Sequence, residues 1–405
     1  MEADCMSKVE QLIKRGVKIT NPQSIEIGSD VNINNISSNG VELYSGCKIY
    51  GANTVILENS KIGYEAPATI DRCQIGAEVQ LAGGYFRKSV FLNKAKAGSG
   101  SHVREGTIFE EEAKIAHTVG LKQTILFPFV TLGSLINFCD CLMAGGTSRE
   151  KHSEVGSSFI HFNYTPNQEK ATPSIMGDVP NGVMLNKKPI FLGGQGGLVG
   201  PCRLAFGTVT AAGLICKKDE LNENRLIIGA SSKKEFSVSY DFIKAHTNIK
   251  RIVVNNINYL ANLIALEKWY EYIRYQFISE EFNFTRELYR GLMENIDLAI
   301  IERRKRFRHF AEKMPDLAYT ENEKIKLLEK WHELEEFFSL KREREQPYPD
   351  RTKFIKVVET GIKKYGKDYI KVIINLNDKD RKPGINWLQA VVDDIVHNIL
   401  NIIDI

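Results

Sequence analysis

From Ile25 to Gly229 the chain keeps returning to an aliphatic residue followed by glycine, and this recurrence limits its fold more than any other feature. Ile27-Gly28, Ile62-Gly63, Ile75-Gly76, Val119-Gly120, Leu132-Gly133, Val155-Gly156, Leu192-Gly193, Val199-Gly200 and Ile228-Gly229 carry it, and Ile70, Val79, Val90, Val103 and Val130 fall between them. A helix needs a period of about 3.6 and a half-exposed strand a period of about two. Neither describes this stretch. A period of about six fits short strands separated by sharp corners, three to a coil, with the aliphatic side chain inside and glycine where a corner demands positive φ. At about 18 residues per coil and ~4.8 Å between coils, the segment makes a parallel β-helix of roughly 11 coils and ~50 Å length.

The period breaks twice. NFCDCLMAGGTSREKHSE separates Leu132-Gly133 from Val155-Gly156, and a run containing Pro166, Pro173, Pro180 and Pro189 separates Val155-Gly156 from Leu192-Gly193. Proline cannot donate to a ladder, so both segments are expected to leave the prism as loops, where a rigid scaffold tends to carry binding groups.

Beyond Ala230 the pattern becomes helical. NINYLANLIALEKWYEYIRYQFI and RELYRGLMENIDLAIIERRKRFRHFAEKM repeat at helical spacing, and Thr320 with Glu323 forms a capping box ahead of IKLLEKWHELEEFFSLKRE. Two more helices are expected over Thr352 to Ile374 and over Asn386 to Ile403, the latter after Pro383-Gly384. The domain reading is therefore a lead-in over 1–20 with a short helix from Lys8 to Arg15, a β-helix over 21–230, a linker over 231–250 and an α-helical domain over 251–405. RRKRFRH, from Arg303 to His309, is flanked by Glu294, Asp297, Glu302 and Glu312, so it reads as a solvated helix face. Trp269, Tyr270, Tyr272 and Tyr275 read as core or subunit contact.

Composition removes several classes. A net charge of +4 is too small to argue for nucleic acid, and no stretch approaches the ~20 apolar residues of a membrane span. The N-terminal residues lack the apolar core of a signal peptide. Seven scattered cysteines give neither a disulfide framework nor zinc-ligand spacing, so no metal is expected and reduced thiols in a cytoplasm are.

HFNYTPNQEK, from His161 to Lys170, gathers His, Asn, Tyr and Lys on a coil edge. Acyl transfer to an amine needs a proton acceptor and donors for the thioester oxyanion, and anionic substrates need cations. A histidine with pKa near ~6.5 suits the first task and Lys170 the last. The same residues also fit a turn shaped by Asn163 and Tyr164 beside a partly buried polar His161. FLGGQGGLVGP, from Phe191 to Pro201, lacks the phosphate-loop pattern and reads as a close-packed corner or as backbone near a ligand.

SEVGSSFIHFNYTPNQEKATPSIMGDV resembles the acetyltransferase half of the bacterial bifunctional N-acetylglucosamine-1-phosphate uridyltransferases. That family carries Gly-x-Gly-Thr-Ile-x-x-Asn-Tyr-Asp and a following lysine on a left-handed β-helix. SHVREGTIFEEEAKIAHTVG and AFGTVTAAG are similar to two further coils of the family, so the resemblance covers about 100 to 230 and not the helical part. SLINFCDCLMAGGTSR and FLGGQGGLVGP are similar to runs in stand-alone hexapeptide-repeat proteins often named UDP-N-acetylglucosamine pyrophosphorylase. The residues before Ile25 are too few for the nucleotide-binding domain that pyrophosphorylase chemistry uses.

The resemblance implies an all-β left-handed parallel β-helix followed by an α-helical domain, assembled as a homotrimer. It implies an acyl-CoA-dependent transferase, most simply using acetyl-CoA as co-substrate, acting on a phosphorylated or UDP-linked amino sugar. Arg104 and Lys170 match phosphate-binding positions, with Lys122 a looser match. Asn163 and Tyr164 match the pair that binds sugar and thioester, and Ala211 and Ala212 match backbone positions along the coenzyme A arm. Asp140 stands about where the family has its catalytic histidine. An exposed aspartate with pKa near ~3.9 is a poor base for an amine. Burial raising that pKa, a base role for His161 or His152, and loss of transfer in favour of a nucleotide-sugar sensor or scaffold all remain open at this point.

Overall fold

The computed structural model describes residues 7–164, 170–229, 249–278, 283–314, 326–343 and 347–405. Two- to four-residue strands between Lys18 and Ile227 stack into three parallel sheets of 11, 10 and 8 strands, one sheet to each face of a rod. The first face starts at Lys18–Ile19 and ends at Leu226–Ile227, the second runs from Glu26–Ile27 to Ile215–Cys216, and the third from Val55–Ile56 to Arg203–Leu204. This is the stacked prism that the repeat requires.

The faces differ in what they bury. On the first, each strand gives one residue to the interior and one to solvent, so Leu43, Ile62, Leu81, Ala97, Ile115 and Leu132 stack in register behind exposed or half-exposed partners. The third face buries both. Val90, Ile108, Ile125 and Leu142 form one ladder and Phe91, Phe109, Leu126 and Met143 the next, and none of the eight is more than 1% exposed. Strands apolar on both sides need cover on both sides.

Helices supply that cover. Helix α1 (Lys8–Arg15) closes the start of the rod. Ser7 and Glu10 form its capping box, Leu12 enters the core, and Lys8 and Arg15 donate to carbonyls of the first coil at Gly28, Val31, Ile33 and Ile36. A single turn, α2 (Val179–Gly182), sits in the second excursion. The C-terminal part comprises α3 (Ile249–Tyr272), α4 (Asn283–Lys313), α5 (Trp331–Glu343), α6 (Pro349–Tyr365), α7 (Tyr369–Ile374) and α8 (Asp378–Ile402). Helix α4 lies along the third face, and α3 packs on α4, α8 and the strand Ser174–Met176. The approach is close: a Cβ on Gly291 of α4 would meet Gln74 of the rod at 2.2 Å.

Several details differ from the sequence reading. Much of the first break stays in the rod, since Ile136–Asn137 and Cys141–Met143 are regular coil strands and the chain departs only from Ala144 to Ser153. Ile160–Phe162 and Ser174–Met176 likewise remain in the sheets. The helix expected over Thr352 to Ile374 is two, because Gly366 adopts φ 75° and accommodates the turn between α6 and α7. Helix α8 starts eight residues before Asn386. Asn377 caps it, Arg381 bonds the carbonyls of Ile373 and Ile374, and Gly384 gives Phe354 room to approach. Pro383 near its start removes one helical hydrogen bond, which these contacts outweigh. The expected linker 231–250 lies outside the described residues up to 248, and its last two residues, Ile249 and Lys250, already belong to α3; the Thr320–Glu323 capping box also lies outside them. No described helix is long and apolar enough to cross a membrane. The six described cysteines are buried free thiols.

Candidate functional site

The corner between the second and third faces gathers most of the residues singled out above. Phe86, Val103 and Leu121 pair in register, so the residues that follow them, Arg87, Arg104 and Lys122, rise one above another at the corner. The Arg104 amide donates to the Leu121 carbonyl and the Asp140 amide to the Lys122 carbonyl, which continues the column to Cys139 and Asp140. Arg104 is exposed, Lys122 is ion-paired with Glu105 at 2.9 Å, and Arg87 with Asp71 at 3.2 Å. Asn163 and the exposed Tyr164 follow on the next coil, and Lys170 re-enters beyond 165–169, which lie outside the described residues.

Asp140 adopts φ 59° at the corner, and its side chain is buried at the seam with the helices. Arg303 of α4 donates from Nη2 to its Oδ1 at 2.7 Å, and Asn163 donates from Nδ2 to its Oδ2 at 2.7 Å. Both carboxylate oxygens are engaged. Arg303 is 3% exposed and leaves Nε and Nη1 without partners among the described residues, so the charge of Asp140 is what makes its burial tolerable. Helix α3 adds Tyr259, whose phenol burial drives upward in pKa. Burial, and then the Asp140 charge, push the Cys139 thiol up to about 11, against the pull of Arg104.

His161 lies inside the rod. Its Nδ1 is 2.7 Å from the Cys139 carbonyl oxygen and its Nε2 is 2.8 Å from Ser174 Oγ. A carbonyl only accepts, so Nδ1 carries the proton and Nε2 accepts from the Ser174 hydroxyl, which itself accepts from the Cys202 amide at 3.0 Å. Burial lowers the pKa to about 4 and Arg303 opposes protonation further, while Asp140 and the Cys139 carbonyl act the other way. The ring is neutral with both nitrogens occupied, an arrangement that leaves it no lone pair for a substrate proton. His152 belongs to the first excursion, bonded to the Arg149 carbonyl and 3.5 Å from Glu154, so it sits with the first face and not with Asp140.

Ala211 and Ala212 occupy a first-face corner beside Gly193, where a Cβ would meet the Ala211 carbonyl carbon at 2.5 Å. FLGGQGG is thus a close-packed corner. In the helical part, Trp269 and Tyr270 are fully buried while Tyr275 is 58% exposed.

Arg303 escaped the sequence reading because it sits in RRKRFRH, where Arg306 and Arg308 do pair with acids on or beside the helix surface. A signal was present. Ile296, Ile300, Phe307 and Phe310 form an apolar stripe at helical spacing, and Arg303 interrupts it. A charge inside such a stripe calls for a buried partner.

No protein-family model matches the chain. It is similar to the bifunctional protein GlmU of Thermotoga petrophila, 27% identical over 221 residues, and to that of Thermotoga maritima, 28% identical over 221 residues. It is also similar to the bifunctional protein GlmU of Fervidobacterium nodosum, 29% identical over 219 residues. Each match covers 53% of this chain and 42% of the relative, so the chain aligns with less than half the length of the curated relatives it matches.

Proposed function

We propose that the protein binds a phosphorylated or UDP-linked amino sugar at the Arg104–Asp140–Asn163 corner and acts there as a nucleotide-sugar sensor or scaffold. One observation carries this reading: the Asp140 carboxylate is held by Arg303 on one oxygen and Asn163 on the other. His161 is neutral and saturated, and taking a proton from a substrate ammonium would cost Asp140 its pairing with Arg303. The phosphate-binding side would rest on Arg104, exposed at the corner, and Lys122, one coil away, with the exposed Tyr164 beside Asn163 and Lys170 as a further cation.

A second reading, acyl transfer from acetyl-CoA, is favoured by the similarity to GlmU together with the Asn163–Asp140 contact, which keeps Asn163 beside the position a base would occupy. Ala211 and Ala212 would line the coenzyme A arm through backbone groups at an accessible corner. Both readings fit a homotrimer. Ile160, Phe162, Phe191, Val209, Ile215 and Leu226 are each at least 36% exposed on the outer sides of the first and second faces, more apolar surface than a lone rod gains by showing to water.

Thermal-shift measurements with UDP-N-acetylglucosamine, glucosamine 1-phosphate and acetyl-CoA, run beside a free-thiol release assay, separate the two. Stabilisation by the sugar ligands without thiol release is expected, and Arg104→Gln should remove the stabilisation. Thiol release that depends on glucosamine 1-phosphate would establish transfer instead. No stabilisation by any sugar ligand would defeat both.

A further inference from the structure

Charges along the outside of the first face follow a rule, and one stretch breaks it. Lys18, Glu42 and Lys61 stack in register with alternating sign, and Glu42 is 3.5 Å from Lys18 and 3.7 Å from Lys61. Farther along the same face, Lys96 stands in register against Lys114, like against like, at the ~4.8 Å spacing of neighbouring strands. Neither lysine has an ion pair among the described residues. The first excursion then brings a third cation to the same place. Arg149 lies across the coils, donating from Nη1 to the carbonyls of Glu112 and Phe129 and from Nη2 to Thr131 Oγ1 at 3.0 Å. Thr131 is the register neighbour of Lys114. The guanidinium is thus anchored by neutral acceptors, and no carboxylate pairs with it among the described residues.

These groups line a groove of about 360 Å³ in which Lys94, Lys96, Lys114 and Arg149 meet two carboxylates of the lining, Glu78 and Glu112, while Glu154 outside the lining also attracts Lys114 and Arg149. We propose that this groove is an anion site for a diphosphate-bearing ligand, separate from the corner that carries Asp140. Cations on successive coils match the spread of charged oxygens over two adjoining phosphoryl groups, which a single carboxylate cannot span. Arg149 offers a planar fork suited to phosphate. Glu78 and Glu112 would accept from hydroxyls of an attached sugar and disfavour a second anionic moiety. Lys114 is held below the usual lysine range, first by burial and then by the charges of Arg149 and Lys96, which is the repulsion an anion would relieve. The excursion at Ala144 to Ser153 is the segment that delivers the Arg149 guanidinium to that position.

Calorimetric titration of the full chain with inorganic pyrophosphate at low ionic strength tests the site. Wild-type protein should bind, and Lys96→Gln and Lys114→Gln should each weaken binding by about tenfold, the scale of one lost charge contact. Arg104→Gln removes the phosphate contact of the sugar corner, so the pyrophosphate binding that persists in it should be the part the lysine variants weaken, which distinguishes this groove from that corner. Without anion, Lys114→Gln should melt at a higher temperature than wild type, because a repulsion has been removed. UDP compared with pyrophosphate reports whether an attached sugar adds to binding. Arg149→Gln could loosen its loop, so the lysine variants carry the test. Absence of wild-type binding, unchanged binding in both lysine variants, or loss of binding in Arg104→Gln alone would each overturn the proposal.

Discussion

The interior of the rod and its seam with the helices are both buried, yet they are built on opposite principles. Inside, each coil repeats its neighbour, with aliphatic and aromatic side chains in ladders and buried polar groups such as Thr124 and Ser60 bonded to nearby carbonyls. At the seam, ions are buried in unique pairs. Arg303 meets Asp140 and Arg274 meets Glu111 beneath the ring of Tyr369, while beside them the Tyr270 hydroxyl donates to Glu110, which is no ion pair, at 2.6 Å. A ladder of aliphatics would stack equally well one coil up or down. A charge with one partner would not. The rod therefore obtains stability from repetition, and the seam obtains register from singular contacts that cost desolvation.

That contrast can be broken in order of expected effect. Removing one partner at the seam should act most strongly: Arg303→Met leaves Asp140 buried and unpaired and should lower stability by about 3–5 kcal/mol in chemical denaturation. The double variant Arg303→Met, Asp140→Leu should recover much of this loss. Should the double variant stay as unstable as the single, the pair does not organise the seam. Truncation inside the rod comes next, with Ile125→Ala expected to cost about 2–5 kcal/mol through lost burial and the cavity left behind.

A pH effect follows. Burial raises Glu110 to about 7, so the folded state holds a proton that the unfolded chain releases near its ordinary value of 4.5. The stabilising contribution is full below about 4.5 and is lost as pH rises toward and through about 7. His161 works the other way, since its pKa of about 4 makes it penalise folding only as pH falls below its ordinary 6.5. The two slopes oppose each other between about 4.5 and 6.5, so wild-type stability alone hides them. Glu110→Gln should gain on wild type by about 1–3 kcal/mol between pH ~5 and pH ~8, since each tenfold change in proton affinity is worth ~1.4 kcal/mol. Parallel curves for the two proteins would mean Glu110 is ionised in the fold. Last, Lys61→Ala should change stability by no more than about 0.5 kcal/mol, because its contact with Glu42 is largely solvated.

Much of the fold was legible. The aliphatic-glycine period requires stacked coils because only a short strand and a corner repeat at that interval, and the helical period after Ala230 is equally direct. Less visible was where the helices dock. The signal lay in strands such as Ser89–Phe91, Thr107–Phe109 and Cys141–Met143, apolar at adjacent positions where the first face alternates. The candidate site divides in the same way. Arg104, Lys122, Asp140 and Asn163 meet at one corner because coil periodicity brings Arg104, Lys122 and Asp140, 18 positions apart, into register, and Asn163 follows 23 residues on, after the excursion. His161 could not be placed, since its neighbours Cys139 and Ser174 belong to two other coil segments and their contact depends on which side of the coil the ring enters.

By itself the chain's sequence determined the prism, its three faces and the column of residues at its corner, because a short repeat is a local property that each coil enforces on the next. The tertiary structure alone decided that Asp140 would be a bound counter-ion and His161 a neutral structural ring. Charge state is set by what surrounds a group, and the partner that sets it for Asp140 lies 163 residues away on another element.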